Sequence, residues 1–203
     1  MSTLKALSIS FIILALVLVA IPGSGNYSFI EDPEELALSL SEADTYIPVD
    51  RVARYVISED STVQLIDLRD SLEFMTLNIP GAMNVPLESF FKMKPETFLF
   101  NKDLKYIFYS NSDIKSSYAL TLARGLGYSN CFVMEGGLNN WFETIMNSSF
   151  SGEIISPREN ALFETRFRAR RFFTEINSLP DSLRLQYAES RRQAEKELDG
   201  GCE

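Results

Sequence analysis

The sequence predicts an α/β fold, a parallel sheet with helices on both faces. Two observations lead there. Short apolar runs such as "QLIDL" and "YIFY" alternate with segments of helical periodicity, and glycine or proline punctuates the joints. With 203 residues and 45% hydrophobic composition, the chain has material for one main domain and some appendages.

Near the N-terminus, "ALSISFIILALVLVAIP" gives about 17 residues without a charge, the lower limit for crossing a bilayer. Lys5 precedes this run and "EDPEE" follows it, so the positive-inside preference places the remainder outside the cytoplasm. Two readings stay open for residues 1–25. They form an uncleaved transmembrane anchor that holds the rest on the periplasmic or cell-surface side, or a signal peptide cleaved among the small residues of "VLVA" and "PGSG", which would leave a secreted protein. Residues 26–45 read as an acidic linker holding one short helix in "DPEELALSLSEA".

The globular part spans residues 46–146. "IPVDRVARYVIS" places Val49, Val52, Ala53 and Val56 on one helical face. "TVQLIDL" is too short for a helix and reads as a buried strand. "NIPGAMNVP" supplies a turn at Pro80 and Gly81, then the short strand "AMNV". "KYIFYS" is a further buried strand, "SSYALTLARGLGY" a helix stopped at Gly127, "NCFVMEGG" a strand ending in paired glycines, and "LNNWFETI" a short amphipathic helix. Residues 147–203 form a helical extension: a connector, helices over 157–176 and 181–198 arranged as a hairpin, and the tail "GGCE". In parallel sheets of this kind ligands sit beyond the carboxyl ends of the strands. The loop after "KYIFY" is therefore where a site belongs.

Composition removes several function classes. A net charge of −9 with pI near 4.7 lacks the cationic surplus that nucleic-acid binding needs. The absence of histidine removes the usual general base, the usual zinc ligand and the Ser-His-Asp and Cys-His arrangements. Only Cys131 and Cys202 are present, so neither a disulfide framework nor a cysteine-rich metal cluster is indicated, and no cofactor or metal is expected. Cys131 opens an apolar strand and reads as a small buried hydrophobe.

Three segments taken together, "LIDLRDSLEF", "LNIPGAMNVPL" and "VMEGGLNNW" around the strand "KYIFYS", resemble the rhodanese-like domains. That family's pattern is Asp-x-Arg on a central strand, a Gly-His-Ile-Pro-Gly-Ala turn, a loop opening with cysteine, and Gly-Gly-x-x-x-Trp near the end. The resemblance implies a three-layer fold with a five-stranded parallel sheet. It also implies a cysteine thiolate that takes sulfane sulfur from a donor such as thiosulfate and passes it to an acceptor. In this sequence the cysteine position falls on Ser110. The loop of Ser110, Asn111, Ser112, Asp113, Ile114, Lys115 and Ser116 keeps a cation at Lys115 and a hydroxyl at Ser116, while Asn78 stands for the turn histidine.

A thiol with a reference pKa near 8.5 is readily ionised by loop amides, whereas a serine hydroxyl without a base is not and forms no persulfide analogue. The expectation is therefore a membrane-anchored, catalytically inactive relative that binds a protein partner or a small anion. Loop amides and Lys115 attract an anion and Asp113 opposes it. Asp67 and Arg69 form either the pocket rim with Asn78 or a structural ion pair. In the alternative, Cys202 in the "GGCE" tail is the sulfur or redox carrier.

Overall fold

The apolar runs pair as a single parallel sheet. In a computed structural model that describes residues 32–149 and 156–199, the strands are β1 (Tyr46–Ile47), β2 (Val63–Asp67), β3 (Met83–Asn84), β4 (Lys105–Tyr109) and β5 (Cys131–Met134). Their order across the sheet is β1-β5-β4-β2-β3, and every adjacent pair is parallel. All five residues of β2 are buried. Helices cover both faces, which is why the central strands read as unbroken apolar runs rather than alternating ones.

The first strand corrects the expectation that "IPVDRVARYVIS" is wholly helical. Tyr46 and Ile47 pair with Val133 and Met134, and Pro48 then caps α2 (Val49–Ile57). Val49, Val52, Ala53 and Val56 are its buried face, as the spacing predicts. Ahead of it lies α1 (Pro33–Ser41), within the expected linker, where the Asp32 carboxylate accepts from the Glu34 amide and proline occupies the first turn. Two six-residue helices, α3 (Ser71–Thr76) and α4 (Leu87–Lys92), are additions that periodicity could not reveal at that length. Then follow α5 (Asp113–Gly125) and α6 (Gly137–Trp141), which runs on into a π-helical turn over Phe142–Met146.

The core divides by face. Leu65, Ile107, Tyr109 and Trp141 belong to one cluster, and Ile66, Phe108, Leu120 and Val133 to the other. Successive strand residues thus feed opposite layers. The C-terminal extension joins the first cluster. It consists of α7 (Pro157–Asn177), opened by a Ser156/Glu159 capping box, and α8 (Asp181–Asp199), close to the expected hairpin. From α7, Ala169 and Phe173 are buried against the sheet-facing helices, with the Phe173 ring 6.1 Å from that of Trp141. Arg166 adds a two-pronged pair to Asp50 at 2.7 Å per contact. On the other face α1 is fastened by Arg124, which donates to the Ser39 carbonyl, to Thr45 Oγ1 and to the Cys131 carbonyl.

Among the described residues no helix is long and apolar enough to cross a membrane. The expected N-terminal apolar helix and Cys202 both lie outside the described residues.

Candidate functional site

Parallel register brings the carboxyl ends of β2 and β4 side by side. Asp67 pairs with Tyr109, and the Leu68 amide donates to the Tyr109 carbonyl at 2.9 Å. The chain leaving β4 therefore starts its loop beside the chain leaving β2, with Ser110 first in that loop.

The loop is shorter than the sequence implies. The helix α5 begins at Asp113, so Asp113, Ile114, Lys115 and Ser116, expected in the loop, are its first turn. Nothing in that stretch breaks a helix, and the Asp113 carboxylate accepts the Gly136 amide at 2.6 Å, which fixes the turn against the segment after β5. Only Ser110, Asn111 and Ser112 remain as loop.

That short loop is clasped from one side. The Leu138 amide donates to the Ser110 carbonyl at 2.8 Å and the Asn139 amide to the Asn111 carbonyl at 3.1 Å. Such backbone contact requires a residue without a side chain at position 137: a Cβ there would lie 2.5 Å from the Ser110 carbonyl oxygen, and φ is +59°. From the other side Asn111 donates to Glu73 Oε1 at 2.9 Å, so α3 closes over the loop.

Inside this clasp Ser110 is 2% exposed. Its hydroxyl donates to the Ser112 carbonyl at 2.6 Å, a neutral acceptor that cannot take the proton. Ser116 is fully buried, and its hydroxyl has no hydrogen-bond partner. Ile114 and Lys115 face outward, Ile114 with 63% of its surface exposed. The charges at the mouth are mixed. Asp70 is held below the usual carboxylate range, first by the Glu73 amide and in lesser part by the Lys115 charge.

Asp67 and Arg69 form a buried fork. Arg69 Nε donates to Asp67 Oδ1 at 3.0 Å and Nη2 to Oδ2 at 2.5 Å, while Nη2 also reaches the Leu77 carbonyl at 2.9 Å. Burial alone would lower the Arg69 pKa, but the bond to Asp67 and its charge outweigh that, and the net direction is upward. The fork ties β2 to the segment entering the Asn78 turn. Asn78 itself is engaged by α7: its amide donates to Asn177 Oδ1 at 2.9 Å, and Asn177 Nδ2 returns to the Asn78 carbonyl at 2.8 Å. Tyr109 completes the turn by accepting the Ile79 amide at 3.3 Å. Burial, and then the Asp67 charge, push its phenol well above the ordinary value.

Among the described residues the thiol sits at the other end of the sheet. Cys131 pairs with Tyr106, four residues before Ser110 in sequence, roughly 13 Å along the strand. It is fully buried, and burial pushes its pKa up to about 12. Among the described residues no group of three or more Cys, Asp or Glu side chains could hold a metal ion.

Sequence reasoning picks out Glu73 within "LIDLRDSLEF" without giving it a role and misses Asn177, the residues that hold Asn111 and Asn78. The signal for the first is "DSLE": the Asp70 carboxylate accepts the Glu73 amide at 2.9 Å, and Asp followed three residues later by Glu marks a helix start. Nothing local marks the second.

A model of the family described as "Rhodanese-like domain" matches residues 53–144. The chain is similar to a thiosulfate:glutathione sulfurtransferase of Saccharomyces cerevisiae, 30% identical over 102 residues, which are 43% of this chain and 70% of that protein. It is also similar to a tRNA uridine(34) hydroxylase of Bdellovibrio bacteriovorus, 28% identical over 100 residues. That match covers 48% of this chain and 29% of the hydroxylase. Among solved structures, a human single-domain sulfurtransferase aligns at 25% identity over 52% of this chain and 98% of its own, with a TM-score of 0.40.

Proposed function

Because the chain belongs to the rhodanese-like domain family and has sulfurtransferase homologues, we propose that it is a membrane-anchored, extracytoplasmic member in which Ser110 occupies the nucleophile position. It works by binding a protein partner rather than by moving sulfur. The observation that carries this reading is the buried Ser110 hydroxyl, which donates to the Ser112 carbonyl.

Sulfur transfer from thiosulfate requires a thiolate to attack the outer sulfur, form an S–S bond and expel sulfite, after which an acceptor thiol or cyanide removes the bound sulfur. A hydroxyl that keeps its proton, donated to a neutral carbonyl with no base to remove it, is too weak a nucleophile for that attack, and an O–S adduct would not hand sulfur on. The chain contains no histidine to act as base. Cys131 cannot substitute: it is buried, four residues down the ladder, and protonated up to about 12.

Recognition of a protein is favoured over capture of a small anion by the charges around the loop. Glu73 accepts from Asn111, and the Asp113 carboxylate places negative charge at the α5 N-terminus, where an anion would otherwise benefit from the helix dipole. The exposed Ile114 and Lys115 beside Asn111 give a partner one apolar and two polar contacts. Anchoring rests on the charge-free run within residues 1–25, and the side of the membrane on Lys5 preceding it.

The test is turnover of the purified full chain with thiosulfate and cyanide. Thiocyanate stays at the buffer level, and Ser110→Ala changes nothing. Turnover that disappears in Ser110→Ala overturns the reading. Turnover that disappears instead in Cys202→Ser, together with about 32 Da added to the C-terminal peptide, assigns the sulfur to the tail thiol.

A further inference from the structure

The two helices of the C-terminal hairpin are held to the domain in different ways. From α7, Ala169 and Phe173 are buried in the core and Arg166 pairs with Asp50. Arg170 donates to the Met146 and Ser148 carbonyls at 3.2 Å each, and Asn177 bonds both ways with Asn78. Over residues 181–191 of α8, by contrast, no side chain is buried, and Leu183 and Leu185 lie open at 46% and 60% exposure. Two bonds from α8 to the body stand at the solvent-exposed surface: Arg184 Nη2 donates to the Met75 carbonyl at 2.5 Å, and the Tyr187 hydroxyl donates to Glu59 Oε1 at 3.0 Å.

The fit beneath α8 is incomplete. An apolar cleft of about 50 Å³ remains there, lined by Phe74, Met75, Ala82, Ile176, Leu185 and Ala188 among others. Close-packed interiors leave few gaps of that size, and side chains facing one lose dispersion contacts on that side. Arg184 also lies on the cleft. Its Nη2 is engaged, but Nε and Nη1 are buried with no hydrogen-bond partner. Docking takes water from two N–H donors and gives them no acceptor, which opposes the docked state. A helix that buries no side chain over this stretch, spans a gap and leaves two donors unpaired is weakly held.

We propose that α8 is a releasable cover. It leaves the domain as a unit about the joint at residues 178–180 while α7 stays, and its release uncovers the cleft. The inference goes beyond the partner-binding reading and rests neither on it nor on the anchor.

The joint is suited to this motion. The Ser178 amide caps α7 by donating to the Thr174 carbonyl, and Pro180, which has no amide proton, cannot extend that helix. Asn177, one residue before the joint, is tied to Asn78, so the motion stops there. What the cover conceals bears on the candidate site. α3 meets the cleft through Phe74 and Met75 and meets the loop through the bond between Asn111 and Glu73. The body holds α3 without α8: Ser71 donates to Asn84 at one end, and Arg69 donates to the Leu77 carbonyl at the other. Release therefore bares the cleft face of α3 and leaves α3 in place over the loop.

Hydrogen exchange of the full chain in zwitterionic detergent, read by peptide mass, tests the release. A lone helix of 19 residues is marginal in water, so α8 amides exchange whenever it is undocked. Amides over residues 184–191 should exchange about ten-fold faster than those over 162–177, and more slowly than a free peptide. Equal protection in α7 and α8 overturns the proposal, since the hairpin then behaves as one body. Exchange of α8 at the free-peptide rate overturns it too, because no docked cover would exist. A trap gives an independent reading. Ala82 lines the cleft at 5% exposure. In a Cys202→Ser background, the thiol of Ala82→Cys should react with a maleimide on the time scale of α8 exchange while Cys131 stays unmodified. Reaction at position 82 only together with Cys131, under conditions that unfold the whole domain, overturns the release.

Discussion

The ladder of β4 and β5 buries a sulfur at its amino end and presents an oxygen at its carboxyl end. Cys131, opposite Tyr106, is the group with intrinsic nucleophilicity, yet burial holds its thiol protonated up to about 12. Ser110, directly after Tyr109, has the position that parallel sheets reserve for ligands and chemistry, yet its hydroxyl lacks a base and is spent on the Ser112 carbonyl. Reactivity needs the right atom in the right surroundings. Among the described residues the two lie about four residues of strand apart, roughly 13 Å.

The largest expected effect comes from breaking the scaffold of the carboxyl end. Asp67→Asn removes the charge that compensates buried Arg69, and an unpaired buried guanidinium costs about 3–5 kcal/mol. Urea unfolding reads this as a large drop in midpoint. A loss below about 1 kcal/mol would mean that the fork contributes little to holding that end.

A smaller loss is expected from Gly137→Ala, which forces a side chain into positive φ and against the Ser110 carbonyl. The backbone term is about 1–3 kcal/mol. The loop amides at 111 and 112 should then exchange hydrogen faster than those of β4, since the clasp from Leu138 and Asn139 is what orders them. Unchanged exchange would contradict that role.

The amino end is tested by pH. In the folded chain the Cys131 pKa is raised from 9.0 to about 12, so above pH 9 the folded state holds a proton that the unfolded state releases. That stabilisation is complete below about pH 9 and is lost as pH rises toward 12, at roughly 1.4 kcal/mol per pH unit. Cys131→Ala should flatten the slope of unfolding free energy between pH 9 and 10. Tyr109, also raised, leaves a residual slope above pH 10. An equal slope in wild type and variant between pH 9 and 10 would show that the thiol is not shielded as the structure has it.

These contrasts were only partly legible in the sequence. β2, β4 and β5 announce themselves as continuous apolar runs because helices cover both faces, and Pro157 after Ser156 marks the start of α7 through its capping chemistry. β1 has two residues and α3 and α4 six each, too few for a period to show. That Ser110 opens the loop after β4 followed from the apolar run "KYIFY". Its inward-turned hydroxyl did not, because that depends on a carbonyl two residues on and on amides from position 138 onward. The start of α5 at Asp113 was hidden for the same reason, since its fixing bond comes from Gly136. Asn78 and Asn177 are 99 residues apart, and no local propensity encodes their pairing.

Sulfur-35 labelling by thiosulfate, with the label in the outer sulfur, tests the proposed lack of sulfur transfer at the loop most directly when the full chain is mapped peptide by peptide. The peptides bearing Ser110 and Cys131 should carry no label, in wild type and in Cys202→Ser alike. Label on the Ser110 peptide, removable by cyanide and absent from Ser110→Ala, would contradict it.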